Sequence, residues 1–207
     1  MSREVTSVII VGVGGQGTLL AAGILSETAA RVGLEVKSSE VHGMAQRGGS
    51  VLSQVRFGDR VYSPLTPAGT GDYLVALEEL EALRYRHLIR PGATVFLQKK
   101  RILPAPVLAG AAVYPAGIIK TLEKEGFRVA GVDEAELISR FGTSKPANIY
   151  LLGRLSLHLD FSLDVWKRVI YRYIKDSLRD LNWAAFRLGR EAGTGPGEQS
   201  EKRGKRG

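Results

Sequence analysis

The stretch that most constrains this chain is Gly12-Val13-Gly14-Gly15-Gln16-Gly17. It follows a β-branched run, Ser7 to Val11, and precedes a run with helical spacing, Thr18 to Gly33. A short apolar run of the first kind is typical of a buried parallel strand. Glycines at G-x-G-x-x-G spacing between strand and helix demand a sharp turn and close helix–sheet packing. Gly12 suits the turn, Gly14 lets the backbone approach an anion, and Gly17 lets the helix settle on the strand. Gly15 and Gln16 complete the loop, and Thr18 adds a hydroxyl beside the free amides of the first helical turn. Gly33 is a good helix stop. Leu34 to Glu40 reads as a second strand, and the strand–helix–strand unit is expected to be parallel and right-handed.

A dinucleotide site needs an acid at the end of the second strand to hold the ribose hydroxyl. Glu35 comes too early and Glu40 too late, with Lys37, Ser38 and Ser39 in the expected place. A helix N-terminus contributes only ~0.3–1 kcal/mol to an exposed charge, too little to hold a dinucleotide by itself. The residues alone leave two readings level: a phosphate site, or glycines that serve packing only. A stand-alone NAD-dependent oxidoreductase ranks behind both.

Glu40 to Ser50, EVHGMAQRGGS, shows no periodicity and reads as a polar loop. Loops after strands of open α/β sheets face the binding crevice. That makes Glu40, His42, Gln46 and Arg47, with Gly48 and Gly49, candidates to face a substrate or partner; the competing reading is a solvated loop. Val51 to Phe57, with a turn at Gly58-Asp59 and a return through Arg60 to Ser63, reads as a β-hairpin.

Further on, strands are expected at Tyr73–Glu78, Ala93–Gln98 and Phe127–Asp133, with another possible at Ala111–Tyr114. Helices are expected at Glu79–Ile89, ending at Arg90-Pro91-Gly92, at Ile118–Gly126, and at Glu134–Gly142 with Asp133 as cap. From Lys145 the pattern is helical. Pro146 suits a helix start. Ser162 to Phe186 reads as one helix with Trp166, Val169, Ile170, Tyr173, Ile174 and Leu178 on its apolar face. Trp166 and Trp183 read as core or interface residues. The expected fold is a three-layer, Rossmann-like α/β domain over residues 1–189, with a mostly parallel sheet, a hairpin excursion and a helical C-terminal part. Residues 190–207 are expected to form a disordered basic tail.

Composition removes several function classes. The 207 residues contain no cysteine, so they supply no disulfide, thiol nucleophile or Cys-ligated iron–sulfur cluster. His42, His87 and His158 lie far apart, and no zinc site is expected. No apolar run approaches ~18 residues, and the N-terminal run ends in glycines without a cleavage site, so a cytoplasmic protein without membrane association is expected. The formal net charge is +8, part of it in the tail. No aromatic-interleaved basic stripe accompanies it, so nucleic acid is not the expected partner. Lys99-Lys100-Arg101 reads first as a surface charge run and second as an attraction for a phosphate. The charges of Leu77 to Arg86 suit pairing along a solvated helix.

Four stretches, Gly12–Leu25, Ser39–Gly58, Leu77–Leu83 and Asn148–Leu155, together resemble the gamma-type domain of 2-oxoacid:ferredoxin oxidoreductases. The loop VHGMAQRGG resembles in particular the small (beta) subunits that serve indolepyruvate. The resemblance runs from about Val8 to Gly189. It implies that an aryl 2-oxoacid is oxidatively decarboxylated on thiamine diphosphate, with electrons passing through iron–sulfur clusters to ferredoxin and the acyl group to coenzyme A. Thiamine diphosphate and clusters are then expected in a large catalytic subunit. This chain would hold no catalytic residue and no firmly bound cofactor, and would be inactive alone. Coenzyme A, with its pyrophosphate, would suit Gly12, Gly14, Gly15, Gln16, Gly17 and Thr18 without any ribose-binding acid. A gamma subunit serving another 2-oxoacid, such as pyruvate or ketoisovalerate, is the neighbouring alternative.

Overall fold

The computed structural model describes residues 4–43 and 48–193. Strand β1 (Thr6–Val13) leads through the glycine loop into helix α1 (Thr18–Arg31). Strands β2 (Glu35–His42), β3 (Ser50–Gly58) and β4 (Gly71–Ala76) follow, then α2 (Glu79–Tyr85) and β5 (Ile89–Lys99). A single-turn α3 (Ala105–Leu108), α4 (Ile118–Lys124), β6 (Arg128–Asp133) and α5 (Glu134–Phe141) come next. The chain then turns helical with α6 (Ala147–Leu155), α7 (Leu163–Tyr173) and α8 (Arg179–Ala192).

The six strands form one mixed sheet in the order β2-β3-β1-β4-β5-β6. β1, β4, β5 and β6 are mutually parallel, and β3 runs antiparallel to both β1 and β2. The central strands are covered on both faces, which is why they read as nearly continuous apolar runs. Alternation divides their side chains. Val8, Ile10, Val75 and Phe96 pack with α1, α6, α7 and α8, while Ile9, Val11, Leu74 and Val95 pack with α2 and α4. The three-layer reading therefore holds.

Several local expectations are corrected. β2 does not pair with β1, because β3 is inserted between them. The hairpin exists one element upstream of its expected place: β3 pairs with β2, from Glu35↔Gly58 to His42↔Val51. Its other edge is taken by β1, so Arg60–Ser63 has no strand edge left to join. Val41 and His42 are strand residues, not loop, and carry the second strand past its expected end at Glu40. Arg90-Pro91-Gly92 lies within β5, in the register shift between the pairs Gly71↔Ile89 and Tyr73↔Thr94. Ala111–Tyr114 forms no strand. Asp133 makes no capping bond, its carboxylate pairing with Lys99 at 3.0 Å.

The expected single C-terminal helix is two helices. The Arg179 guanidinium donates to the carbonyls of Tyr171 (2.7 Å) and Ile174 (3.2 Å), satisfying groups that the end of α7 leaves open. Trp166, Val169 and Ile170 are fully buried, whereas Tyr173 and Leu178 are exposed. Helix α8 continues past the boundary placed at Gly189. Arg190 donates to the Ser156 carbonyl (3.2 Å) and hydroxyl (2.8 Å), tying that last turn to α6. The rest of the expected tail, 194–207, lies outside the described residues.

Candidate functional site

Where β1 ends, the chain enters α1 on one face of the sheet; where its neighbour β4 ends, it enters α2 on the other. Ligands of open α/β sheets bind where neighbouring connections diverge in this way. The glycine loop sits at that point.

The loop is held from inside. Gln16 turns its carboxamide inward: Oε1 accepts from the Val13 amide (2.7 Å), and Nε2 donates to the Leu77 carbonyl (2.6 Å). It thus staples the ends of β1 and β4. The Gly14 amide donates to the Gly49 carbonyl at 2.9 Å, so it is not free for an anion. Gly12 lies in β1, not at the turn, and a Cβ there would stand 2.9–3.1 Å from Gln16, Thr18 and Leu77. Gly17 caps α1 with a positive φ of 82°, and a Cβ there would meet Asn148 Nδ2 at 2.5 Å. Its close contact is with α6 rather than with the strand. Gly15, also at positive φ, faces open space. What the loop offers a ligand is the surface at Gly15 and Gly17 and the first-turn amides of α1, which have no partners within the helix.

Two clefts flank this loop. One, of about 430 Å³, lies between Gly15–Gly17, Gln98 of β5, Thr143–Asn148 and the start of α8, with Leu20, Ile174, Leu178 and Leu181 as its apolar wall. Gln98 is 3% exposed, and among the described residues its side chain has no hydrogen-bond partner. Its carboxamide lines the cleft, where it presents a donor and an acceptor to a ligand. Glu134 braces this cleft by accepting from Lys100 Nζ and Ser144 Oγ, both at 2.6 Å. Those two bonds, the lysine's first, hold its carboxyl below the usual carboxylate range.

The second cleft, of about 450 Å³, has Gly14, Gly15, Gly17, Thr18 and Leu19 on one side and His42, Gly43, Ser50 and Val51 on the other. The structure therefore brings His42 to the glycine loop. Thr18 lines the cleft but is 3% exposed. Glu40 is exposed on β2 and lines neither cleft. Gly48 is exposed at positive φ, and Gly49 contributes its carbonyl to the Gly14 bond. Gln46 and Arg47 lie outside the described residues.

Sequence reasoning missed two features. Gln98 stood inside an apolar strand with nothing to mark it. Glu78, Glu79 and Glu81, read as a solvated face, are 1%, 6% and 4% exposed. Their partners are distant in sequence: Tyr114 Oη donates to Glu78 at 2.6 Å, Arg101 pairs with Glu79, and Ser50 bonds Glu81. Lys99, Lys100 and Arg101 are each engaged by a carboxylate, Asp133, Glu134 and Glu79, so that run is neutralised where it stands.

A family model described as pyruvate ferredoxin/flavodoxin oxidoreductase matches residues 7–192. The chain is 40% identical over 187 residues to indolepyruvate oxidoreductase subunit IorB of Archaeoglobus fulgidus, covering 88% of this chain and 92% of that protein. The subunit of the same name from Thermococcus kodakarensis is 38% identical over 191 residues, with 90% and 95% covered. Among solved structures, the gamma subunit of a keto/oxoacid ferredoxin oxidoreductase from Geobacter sulfurreducens superimposes with a TM-score of 0.66 at 22% identity, over 90% of this chain and 97% of that one. A 2-oxoglutarate:ferredoxin oxidoreductase from Magnetococcus marinus, with 2-oxoglutarate, coenzyme A and succinyl-CoA bound, does so with a TM-score of 0.70 at 20% identity. That likeness covers 91% of this chain and 31% of that one.

Proposed function

The chain belongs to the pyruvate ferredoxin/flavodoxin oxidoreductase family, and on that premise we propose that it is the small subunit of an indolepyruvate:ferredoxin oxidoreductase. The observation that carries this reading is the 38–40% identity, over about nine-tenths of the chain, to subunits named for indolepyruvate. The enzyme would convert aryl 2-oxoacids to acyl-CoA together with a larger subunit. A chain without cysteine leaves the iron–sulfur relay to that partner. Thiamine diphosphate, when bound there, supplies the decarboxylation. Ferredoxin would meet the assembled complex.

This chain's part is to seat coenzyme A against the glycine loop, across the two clefts that share Gly15 and Gly17. The α1 N-terminus at Gly15–Thr18 favours the pyrophosphate, and the unpaired carboxamide of Gln98 offers a donor and an acceptor. A nicotinamide dinucleotide is disfavoured by topology: the position beside β1, where the ribose-holding acid would stand, is occupied by the antiparallel β3.

Affinity capture of the tagged full-length chain from its native extract tests the subunit reading. A brown, larger partner carrying thiamine diphosphate is the expected result. A colourless chain without a partner overturns it. In the captured complex, Gln98→Leu should weaken coenzyme A binding by on the order of tenfold, the loss of one buried hydrogen-bonding group. Titration calorimetry with coenzyme A measures it, and unchanged affinity removes Gln98 from the site.

A further inference from the structure

We infer that Glu81 is a positioning residue that acts through Ser50 to set the wall of the cleft opposite the glycine loop; the inference rests on the coenzyme A reading above. Glu81 sits in the first turn of α2 with a side chain only 5% exposed. Its Oε1 accepts from Arg84 Nε at 3.2 Å, and its Oε2 accepts from the Ser50 hydroxyl. Since Ser50 has one proton and gives it to the carboxylate, the Tyr85 hydroxyl, 3.0 Å away, is the donor to Ser50 Oγ. Keeping a carboxylate nearly buried at a position beside the fully buried Ala82 is costly unless it is satisfied. This one is satisfied by Arg84 on its own helix and by Ser50, 31 positions away.

Ser50 is where three constraints meet. It pairs with Val13 at the end of the β1–β3 ladder. Its carbonyl accepts from the Gly43 amide at 2.9 Å, closing the base of the β2–β3 connection. The preceding carbonyl, that of Gly49, accepts from the Gly14 amide. Fixing Ser50 from α2 therefore fixes His42 and Gly43 relative to Gly14 and Gly15, the two sides of the second cleft. Glu81 does not itself line that cleft, and reaches it only through Ser50. Its effect is on the spacing of groups that do, and small misplacements of such groups cost large factors in rate or binding.

The test uses the complex of the full chain with its larger partner, with Ser50→Ala, Ser50→Thr and Glu81→Gln. Two readouts are taken: steady-state kinetics with indolepyruvate and coenzyme A, and hydrogen exchange at the Gly14 and Gly43 amides. Ser50→Ala and Glu81→Gln should speed exchange at both amides and raise KM for coenzyme A by on the order of tenfold, with kcat within about twofold. Ser50→Thr, which keeps the hydroxyl, should restore both. Unchanged exchange at Gly14 and Gly43 overturns the inference. So does a lowered melting temperature with KM unmoved, which would make the contact structural only. A wild-type complex that ignores coenzyme A would overturn the functional reading instead, and the exchange data would still decide whether Glu81 holds the wall.

Discussion

Gly17 combines a φ of +82° with a neighbour, Asn148 Nδ2, that a Cβ would approach to 2.5 Å. Gly17→Ala should therefore lower stability by about 1–3 kcal/mol from backbone strain alone, with the contact adding to it. A denaturant midpoint measures this, and pairing it with Asn148→Ala should recover only the contact part. The sequence showed that a glycine was needed here, because a helix that starts right after a strand leaves little room. It did not show that the room was taken by a residue 131 positions away. Glu134 was equally opaque: its partners, Lys100 and Ser144, meet only when β5, α5 and the following loop converge. Its carboxyl titrates below the usual range when folded. A depressed folded value contributes stability above the unfolded value and loses it as the pH falls through the folded one. Glu134→Gln should thus lower the melting temperature at neutral pH, and the gap from the parent should close below about pH 4.

Helices α6 and α8 pack with their backbones in contact. A Cβ on Gly153 would lie 2.1 Å from the Phe186 carbonyl oxygen, and one on Gly189 would lie 2.0 Å from that of Tyr150. No side-chain rotation relieves either contact, so the helices must separate. Gly153→Ala should cost about 3 kcal/mol or more, the upper range for overpacking, and calorimetric melting of the variant checks it. A wild-type-like melting temperature would mean that the pair is looser than its geometry. Both glycines occur in helical stretches, where the periodicity that reveals an apolar face is blind to how closely another backbone approaches. The break after Tyr173 was hidden for a similar reason, since Arg179 supplies the capping donor by folding back.

Across the whole molecule, one sheet carries two apolar layers, and neither closes without its helices. The face formed by Val8, Ile10, Val75 and Phe96 is covered largely by α1 and by residues of α6, α7 and α8. A chain ending at Gly142 should lack cooperative unfolding and bind a hydrophobic dye, because that face would meet water. A sharp thermal transition in such a truncated chain would show that the C-terminal helices are an accessory layer. By itself, the sequence determined that β1 is a buried strand, that a glycine turn and a helix follow it, and that the chain alternates into an α/β architecture. These are properties of near neighbours, written in apolar period and glycine placement. Only the tertiary structure decided that β3 lies between β2 and β1, that Gln16 faces inward while Gln98 stands unpaired in a cleft, and that Glu81 reaches Ser50. Strand order and the burial of a polar group depend on segments far apart in the chain, and no local pattern records which of them will meet.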